Sequence, residues 1–214
     1  MTLPKQVDRL LVTAIISSFI GLVGCQRTGM ERSNEARISL QTMDEEITSA
    51  ILQLDATGTT LTNLIKPGQP DPKKALHAFS ENVTQIIATE TKFARHADKL
   101  SERGTDYFEE WQKEGTEYKN PQIQQLSENR RSIVSGVYGR IAHQSIGVTE
   151  AFKLYVSNVK EIQMFLSNDL STNGMTAIAP TAHRVITDGD SLKEAMQNVI
   201  QSARREMAQI GSGM

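Results

Sequence analysis

A long, uninterrupted heptad pattern in the middle of the chain constrains its fold more than any other feature. Eleven consecutive seam positions, three and four residues apart in alternation, include a single charged residue, Glu90. The positions are Leu76, Phe79, Val83, Ile86, Glu90, Phe93, Ala97, Leu100, Gly104, Tyr107 and Trp111. This spacing keeps one face of a helix turned toward a partner, so it predicts a long helix in a coiled-coil seam.

Three other stretches have the same helical periodicity, and turn residues separate them. Asp71-Pro72 and Asn120-Pro121 each offer an N-cap followed by a proline in the first helical turn. Lys66-Pro67-Gly68-Gln69-Pro70 cannot continue a helix. The predicted helices are 33–64, 72–114, 121–170 and 178–210. Joined by short loops, they predict an all-α fold, an elongated antiparallel four-helix bundle with coiled-coil seams.

The third helix carries an apolar seam along its whole length, and it contains helix-weakening glycines. Gly136, Gly139 and Gly147 imply either that a neighbouring backbone comes close or that the helix bends. The seam positions are Ile123, Leu126, Arg130, Ile133, Val137, Ile141, Gln144, Val148, Phe152, Tyr155, Val159, Ile162 and Leu166.

The fourth helix has two features that bear on its limits. Pro180 fits a helix only in the first turn, which places the start near that residue. Asp188-Gly189 is a turn dipeptide, which leaves open whether this helix is continuous or made of two pieces.

The N-terminal residues have the order of a bacterial lipoprotein signal. Lys5 and Arg9 precede 14 residues without charge, from Leu10 to Val23, too few to span a bilayer as a stable helix. Leu22-Val23-Gly24-Cys25 then resembles the lipobox, in which signal peptidase cuts before a cysteine that receives lipid. This resemblance implies a removed signal peptide (1–24), a lipidated tether (25–32) and a helical coiled-coil domain (33–214).

The residue after the cysteine bears on the destination of such a lipoprotein. In Gram-negative lipoproteins a residue other than Asp at this position, here Gln26, implies transfer to the outer membrane, with the protein facing the periplasm. Two minor alternatives are an uncleaved inner-membrane anchor and a cytosolic protein in which Cys25 is a buried free thiol.

Charge and cysteine content narrow the function classes. The net charge is −2 and both signs are scattered, unlike the basic surface of a nucleic-acid-binding protein. With one cysteine there is no internal disulfide, so the fold depends on packing.

Aromatic residues gather where the second helix ends. Tyr107, Phe108, Trp111 and Tyr118 lie within twelve residues, beside Lys119. Helix lengths predict that this turn projects about 17 Å past the start of the first helix, on the side of the anchor. Phe108, Trp111, Tyr118 and Lys119 are therefore candidate contacts to a membrane or a partner. The competing interpretation is that Tyr107 and Trp111 pack internally.

Two charges lie on otherwise apolar seams, one on the second helix and one on the third. Glu90 and Arg130 could pair across the two helices and set their register, or they could lie at a solvent-exposed edge of the seam.

Motifs for catalysis or metal binding are missing from the sequence. His77, His96, His143 and His183 form no helical pair of the kind that binds zinc, and no Glu-x-x-His pattern occurs. We expect neither an enzyme nor a bound cofactor or metal.

Several short motifs of the mature chain are similar to a known family. They are Phe108-Glu109-Glu110-Trp111, Glu117-Tyr118, Arg130-Arg131 and Leu166-Ser167-Asn168-Asp169-Leu170. With them the chain resembles a domain-of-unknown-function family of helical coiled-coil envelope lipoproteins. The resemblance implies a lipidated helical protein and supplies no activity or catalytic residue.

Two functions are compatible with these observations. A non-catalytic envelope lipoprotein that scaffolds, spaces or regulates is favoured, held to the membrane through Cys25 and binding a protein or a second copy through its helical surfaces. The alternative is a helical binding module for a lipid, small molecule or metal, with an apolar cavity opened by Gly136, Gly139 and Gly147.

Overall fold

The part of the protein that the structure describes is a bundle of four long helices. A computed structural model describes residues 29–212, with side chains described through Arg205. The lipobox and the apolar run before it lie outside the described residues. The helices are α1 (Gly29–Leu64), α2 (Pro72–Gly115), α3 (Pro121–Asn168) and α4 (Thr172–Ser212).

The predicted caps begin two of these helices. The Asp71 carboxylate accepts a hydrogen bond from Lys74 N at 3.0 Å, and the Asn120 side chain accepts one from Gln122 N at 2.9 Å. Gly68 adopts a φ of 70°, which glycine reaches without strain, and this allows the tight turn between α1 and α2.

Each helix packs against its neighbours in sequence, and α1 also packs against α4. The pairs are antiparallel, because Glu35 near the start of α1 bonds Arg103 late in α2, whereas Gln53 bonds Asn82 early in α2. The predicted antiparallel four-helix bundle is confirmed. Its fully buried side chains are largely seam residues, among them Phe79, Phe93, Phe152, Leu61, Leu100 and Leu166.

The structure settles both the start of the fourth helix, which the sequence placed near Pro180, and its continuity at Gly189, which the sequence left open. It begins at Thr172, eight residues before Pro180, because the Ser171 hydroxyl accepts a hydrogen bond from Gly174 N at 3.1 Å and caps the first turn. It also continues through Gly189. There the missing side chain admits the Tyr155 ring of α3, since a Cβ would lie 2.8 Å from Tyr155 Cε2.

The three glycines of α3 do not mark a close helix contact. A Cβ at Gly139 or Gly147 would meet nothing within 4 Å, and one at Gly136 would meet the Arg140 guanidinium at 3.6 Å. α3 is one helix through all three. Close approach occurs instead at Gly104 of α2, where a Cβ would lie 2.2 Å from Tyr138 Cε1.

Candidate functional site

The end of the bundle that faces the N-terminus is the candidate functional site. There Arg32 of α1 forms an ion pair with Glu114 of α2, and a Cβ at Gly29 would lie 3.6 Å from Glu114 Oε2. The start of α1 and the α2–α3 turn are therefore side by side. Cys25 lies four residues before Gly29, so the proposed anchor attaches at this end.

The predicted 17 Å overhang of the α2–α3 turn is wrong. The Arg32–Glu114 contact puts the last turn of α2 level with the first turn of α1. α1 starts at Gly29, so residues 29–32, which the sequence analysis assigned to the tether, are helical. This extra turn extends α1 alongside the end of α2.

Most of the predicted contact aromatics pack on one another inside this end. Phe108 has ring centroid distances of 4.8 Å to Tyr107, 6.3 Å to Trp111 and 5.7 Å to Tyr138. Trp111 Nε1 donates a hydrogen bond to Ser127 Oγ of α3 at 3.0 Å. Phe108 and Trp111 are therefore partly buried and join α2 to α3, as the competing interpretation held for Trp111.

Tyr138 ties this aromatic cluster to two helices. Its hydroxyl donates to the carbonyl of Leu100 on α2 at 2.9 Å and lies 2.8 Å from Ser39 Oγ on α1. Its ring lies against Gly104, so α2 and α3 approach closely here. Burial raises the pKa of Tyr138 to about 12.

Tyr118 and Lys119 lie on the outside of the same end. Both are exposed, with 45% of the Tyr118 surface accessible. Of the four predicted contact residues, these two remain accessible to a membrane or a partner.

The structure exposes apolar residues at this end that the sequence placed in the α3 seam. Ile123, Leu126 and Ile133 are 48%, 68% and 57% exposed. Their periodicity is helical, but periodicity does not show whether a partner helix is present. Gln144, farther along the predicted seam, is also exposed.

The predicted ion pair between Glu90 and Arg130 does not form. The rings of Phe93 of α2 and Phe152 of α3 pack with their centroids 5.8 Å apart, so Glu90 is level with Tyr155, about 25 residues along α3 from Arg130. At 1.5 Å per residue this is about 38 Å. The antiparallel register separates the two charges.

Sequence reasoning missed a buried carboxylate between α1 and α2. Glu46 Oε1 lies 2.7 Å from Lys92 Nζ and 3.2 Å from His96 Nδ1, and the Glu46 side chain is only 6% exposed. Glu46 precedes the seam residue Ile47, so its position in the heptad pattern indicated an edge residue. The sole signal was a helix face in α2 with Lys92 and His96 one turn apart.

Two shallow apolar clefts adjoin near the end of α4. The first, of about 220 Å³, is lined by residues of α1, α3 and α4 that include Leu40, Ile141 and Val199. The second, of about 250 Å³, shares Leu40 and Ile141 and reaches Phe108 and Val137. Gly136, Gly139 and Gly147 line neither of these two clefts, and Gly139 lines a separate groove between α2 and α3, with Gly104 and Ile146.

Neither a cluster of metal ligands nor a membrane-spanning helix is present in the part of the chain that the structure describes. Among the described side chains, those of residues 29–205, no three His, Cys, Asp or Glu groups come together as a metal site. No helix within residues 29–212 combines the length and apolar composition needed to cross a bilayer.

Comparison with known proteins places the chain in a family. No curated protein and no solved structure matches it. The family model described as protein of unknown function (DUF2959) matches residues 23–210, which include all but the last two described residues. The chain belongs to this family of proteins of unknown function.

Proposed function

We propose that this chain is a non-catalytic lipoprotein of the bacterial outer membrane that faces the periplasm and acts as a scaffold or spacer. The lipobox-like Leu22-Val23-Gly24-Cys25 supports lipidation, and Gln26 supports the outer membrane as its destination. The observation that carries the proposal is the short interval between Cys25 and Gly29, where α1 begins.

This interval makes one end of a rod the membrane-proximal end. Four residues of extended chain reach at most about 14 Å, so lipid on Cys25 holds Gly29 close to the bilayer. α3 has 48 residues, or about 72 Å at the helical rise. Held upright, the rod carries its far end, the turn between α1 and α2, about 70 Å into the periplasm.

Metabolic labelling with radioactive palmitate tests the anchor. We expect label on the parent protein and on Thr28→Ser, a control in the same tether, and none on Cys25→Ser. Gln26→Asp should keep the label and move the protein to the inner-membrane fraction. Label on Cys25→Ser, or outer-membrane recovery of that variant equal to the parent, contradicts the proposal.

The scaffold role requires a protein partner or a second copy. Chemical crosslinking of the lipoprotein in intact cells, followed by mass spectrometry, identifies what lies against its helices. We expect crosslinks from surface lysines to one recurrent envelope protein or to the chain itself. Crosslinks within single copies alone contradict the scaffold role.

The adjoining clefts favour a second candidate function, a binding module for a lipid or small apolar molecule. Leu40, Ile141 and Val199 give the first cleft an apolar lining. Native mass spectrometry of the purified protein should then detect a bound molecule that Ala203→Trp, which fills the cleft, excludes. This function is contradicted if the parent carries no bound molecule, or if the parent and Ala203→Trp carry the same bound molecule.

A further inference from the structure

The four helices do not end together at the anchor side of the bundle. Gly189 of α4 is level with Tyr155 of α3, because a Cβ at Gly189 would lie 2.8 Å from the Tyr155 ring. Ser212, where α4 ends, comes 23 residues after Gly189, and the residue 23 before Tyr155 is Ser132. The helices are antiparallel, so residues 121–131 of α3 extend about 16 Å beyond α4.

The exposed apolar residues of α3 border the face that packs in the bundle farther along. Leu126 and Ile133 are seven residues apart, and the same step reaches the exposed Arg140, whereas Arg130 is one step from the buried Val137. Ile123, one turn before Leu126, continues this apolar row to the end of the helix. Leu126 and Ile123 lie in the part of α3 that extends past α4.

Two more apolar side chains are exposed at the same end of the bundle. Met30, in the first turn of α1, is 83% exposed, and Tyr118, in the α2–α3 turn, is 45% exposed. We call Met30, Tyr118, Ile123, Leu126 and Ile133 the apolar end patch. Exposed apolar side chains that gather at one end of a bundle favour contact with a partner or a membrane.

The chain before α1 favours a bilayer as the surface that covers this patch. Cys25 is four residues from Gly29, a reach of at most about 14 Å, and Met30 is the next residue. Lipid on Cys25 therefore keeps a bilayer at a high effective concentration beside the patch, with no second protein required. Tyr118 has the amphipathic ring that favours the membrane–water interface, and the neighbouring Lys119 reaches toward headgroups.

We propose that the apolar end patch inserts into the interface of the bilayer to which Cys25 is anchored. The inference rests on the proposed lipidation and adds a second attachment, which tilts the rod toward the side left open by α4. Glu117 and Lys119 flank Tyr118 with opposite charges, so insertion depends on apolar contact and not on anionic lipid.

The test uses the lipidated full chain reconstituted into phosphatidylcholine vesicles, with a polarity-sensitive fluorophore on one introduced cysteine. Cys25 is blocked by lipid, so the label reports a single position. Leu126→Cys reports the patch, and Leu154→Cys is the matched control, because these leucines of α3 are 68% and 63% exposed. Some vesicles contain lipids with a nitroxide quencher on the acyl chain.

We expect a blue-shifted emission and at least twofold quenching by the nitroxide lipids for the label at position 126, and neither effect at position 154. Adding phosphatidylglycerol to the vesicles should leave the quenching at 126 unchanged. Ile123→Ser with Ile133→Ser, introduced together, should reduce it without loss of vesicle attachment.

Three outcomes would overturn the inference. If the labels at 126 and 154 are quenched equally while the protein carries palmitate and stays attached to the vesicles, the patch does not insert, but the lipid anchor still stands. A blue shift at 126 in detergent solution, with energy transfer between labelled copies, assigns the patch to a second copy. Failure of palmitate labelling overturns the anchor and the insertion together.

Discussion

At the scale of single residues, small side chains decide where helices approach and a buried charge joins two of them. Gly104 admits the Tyr138 ring, whereas Gly147 faces open space. Glu46 is buried against Lys92 and His96. None of these roles follows from residue type, because each depends on what the opposite helix places there.

Alanine substitution at Gly104 and at Gly147 should change the free energy of unfolding in opposite directions. Gly104→Ala should lower the free energy of unfolding by about 1–3 kcal/mol, because the new Cβ overlaps a Tyr138 ring held by its hydrogen bond to Leu100. Gly147→Ala should raise it by about 0.5–1 kcal/mol through helix propensity alone. Urea denaturation followed by circular dichroism measures both, and destabilisation by Gly147→Ala would contradict the assignment.

Glu46, Lys92 and His96 form a cluster, which we call the Glu46 cluster. Removing its Lys92 cation should lower the free energy of unfolding more than neutralising its Glu46 carboxylate. Lys92→Ala leaves a buried charge with less compensation and should lower the free energy of unfolding by about 1–3 kcal/mol. In Glu46→Gln the Lys92 ammonium, which is 53% exposed, is solvated by water instead. This variant should lower the free energy of unfolding by less than about 1 kcal/mol.

The matched control for Lys92 is Lys153, which is 54% exposed and pairs with the exposed Glu150 at 2.9 Å. Lys153→Ala should change the free energy of unfolding by less than about 0.5 kcal/mol. Chemical denaturation at neutral pH compares the three variants. The cluster is not stabilising if Lys92→Ala and Lys153→Ala behave alike.

At the scale of helices, the apolar stripe of α3 is buried in one part and exposed in another. Its C-terminal part, which includes Phe152 and Leu166, is fully buried by the other helices. Its N-terminal part extends past α4 and exposes Ile123 and Leu126. Heptad periodicity is the same in both parts, so the difference arises from the length and axial position of α4.

Alanine substitution at the two ends of the α3 stripe measures this difference. Leu166→Ala, at a site with 0% exposure, should lower the free energy of unfolding by about 2–5 kcal/mol. Leu126→Ala should change it by less than about 0.5 kcal/mol, because leucine and alanine have similar helix propensities and no packing is lost. Equal losses in urea denaturation would mean that α4 or another segment covers Leu126.

At the scale of the whole molecule, two buried tyrosines of α3 contact different neighbours at different levels of the rod. Tyr138 packs on α2, and Tyr155 packs on α4. Burial raises the pKa of both hydroxyls, to about 12 for Tyr138. Ionisation of either group therefore opposes the folded bundle.

Stability should consequently fall at high pH. Between the unfolded pKa of about 10 and the folded pKa, the unfolded chain binds fewer protons than the native chain, so stability is present below pH 10 and declines above it. The Tyr138 shift alone corresponds to about 2–3 kcal/mol. Thermal unfolding monitored from pH 9 to 12 should show this decline, and Tyr138→Phe should make it shallower. An unchanged slope in that variant would contradict the role of Tyr138.

Local patterns in the sequence determined the helix count and most helix limits. Three predicted starts or ends, at Leu64, Pro72 and Pro121, agree with the structure because proline caps and turn residues act on their immediate neighbours. The Ser171 cap was missed, although it is equally local, because Pro180 offered a more conspicuous start.

Only the tertiary structure decided which parts of each apolar stripe are covered. Four findings follow from the axial register of antiparallel helices: the partial burial of Phe108, the exposure of Leu126, the separation of Glu90 from Arg130 and the pairing of Glu46 with His96. Register is the sum of packing along whole helices, and no short stretch of sequence contains it.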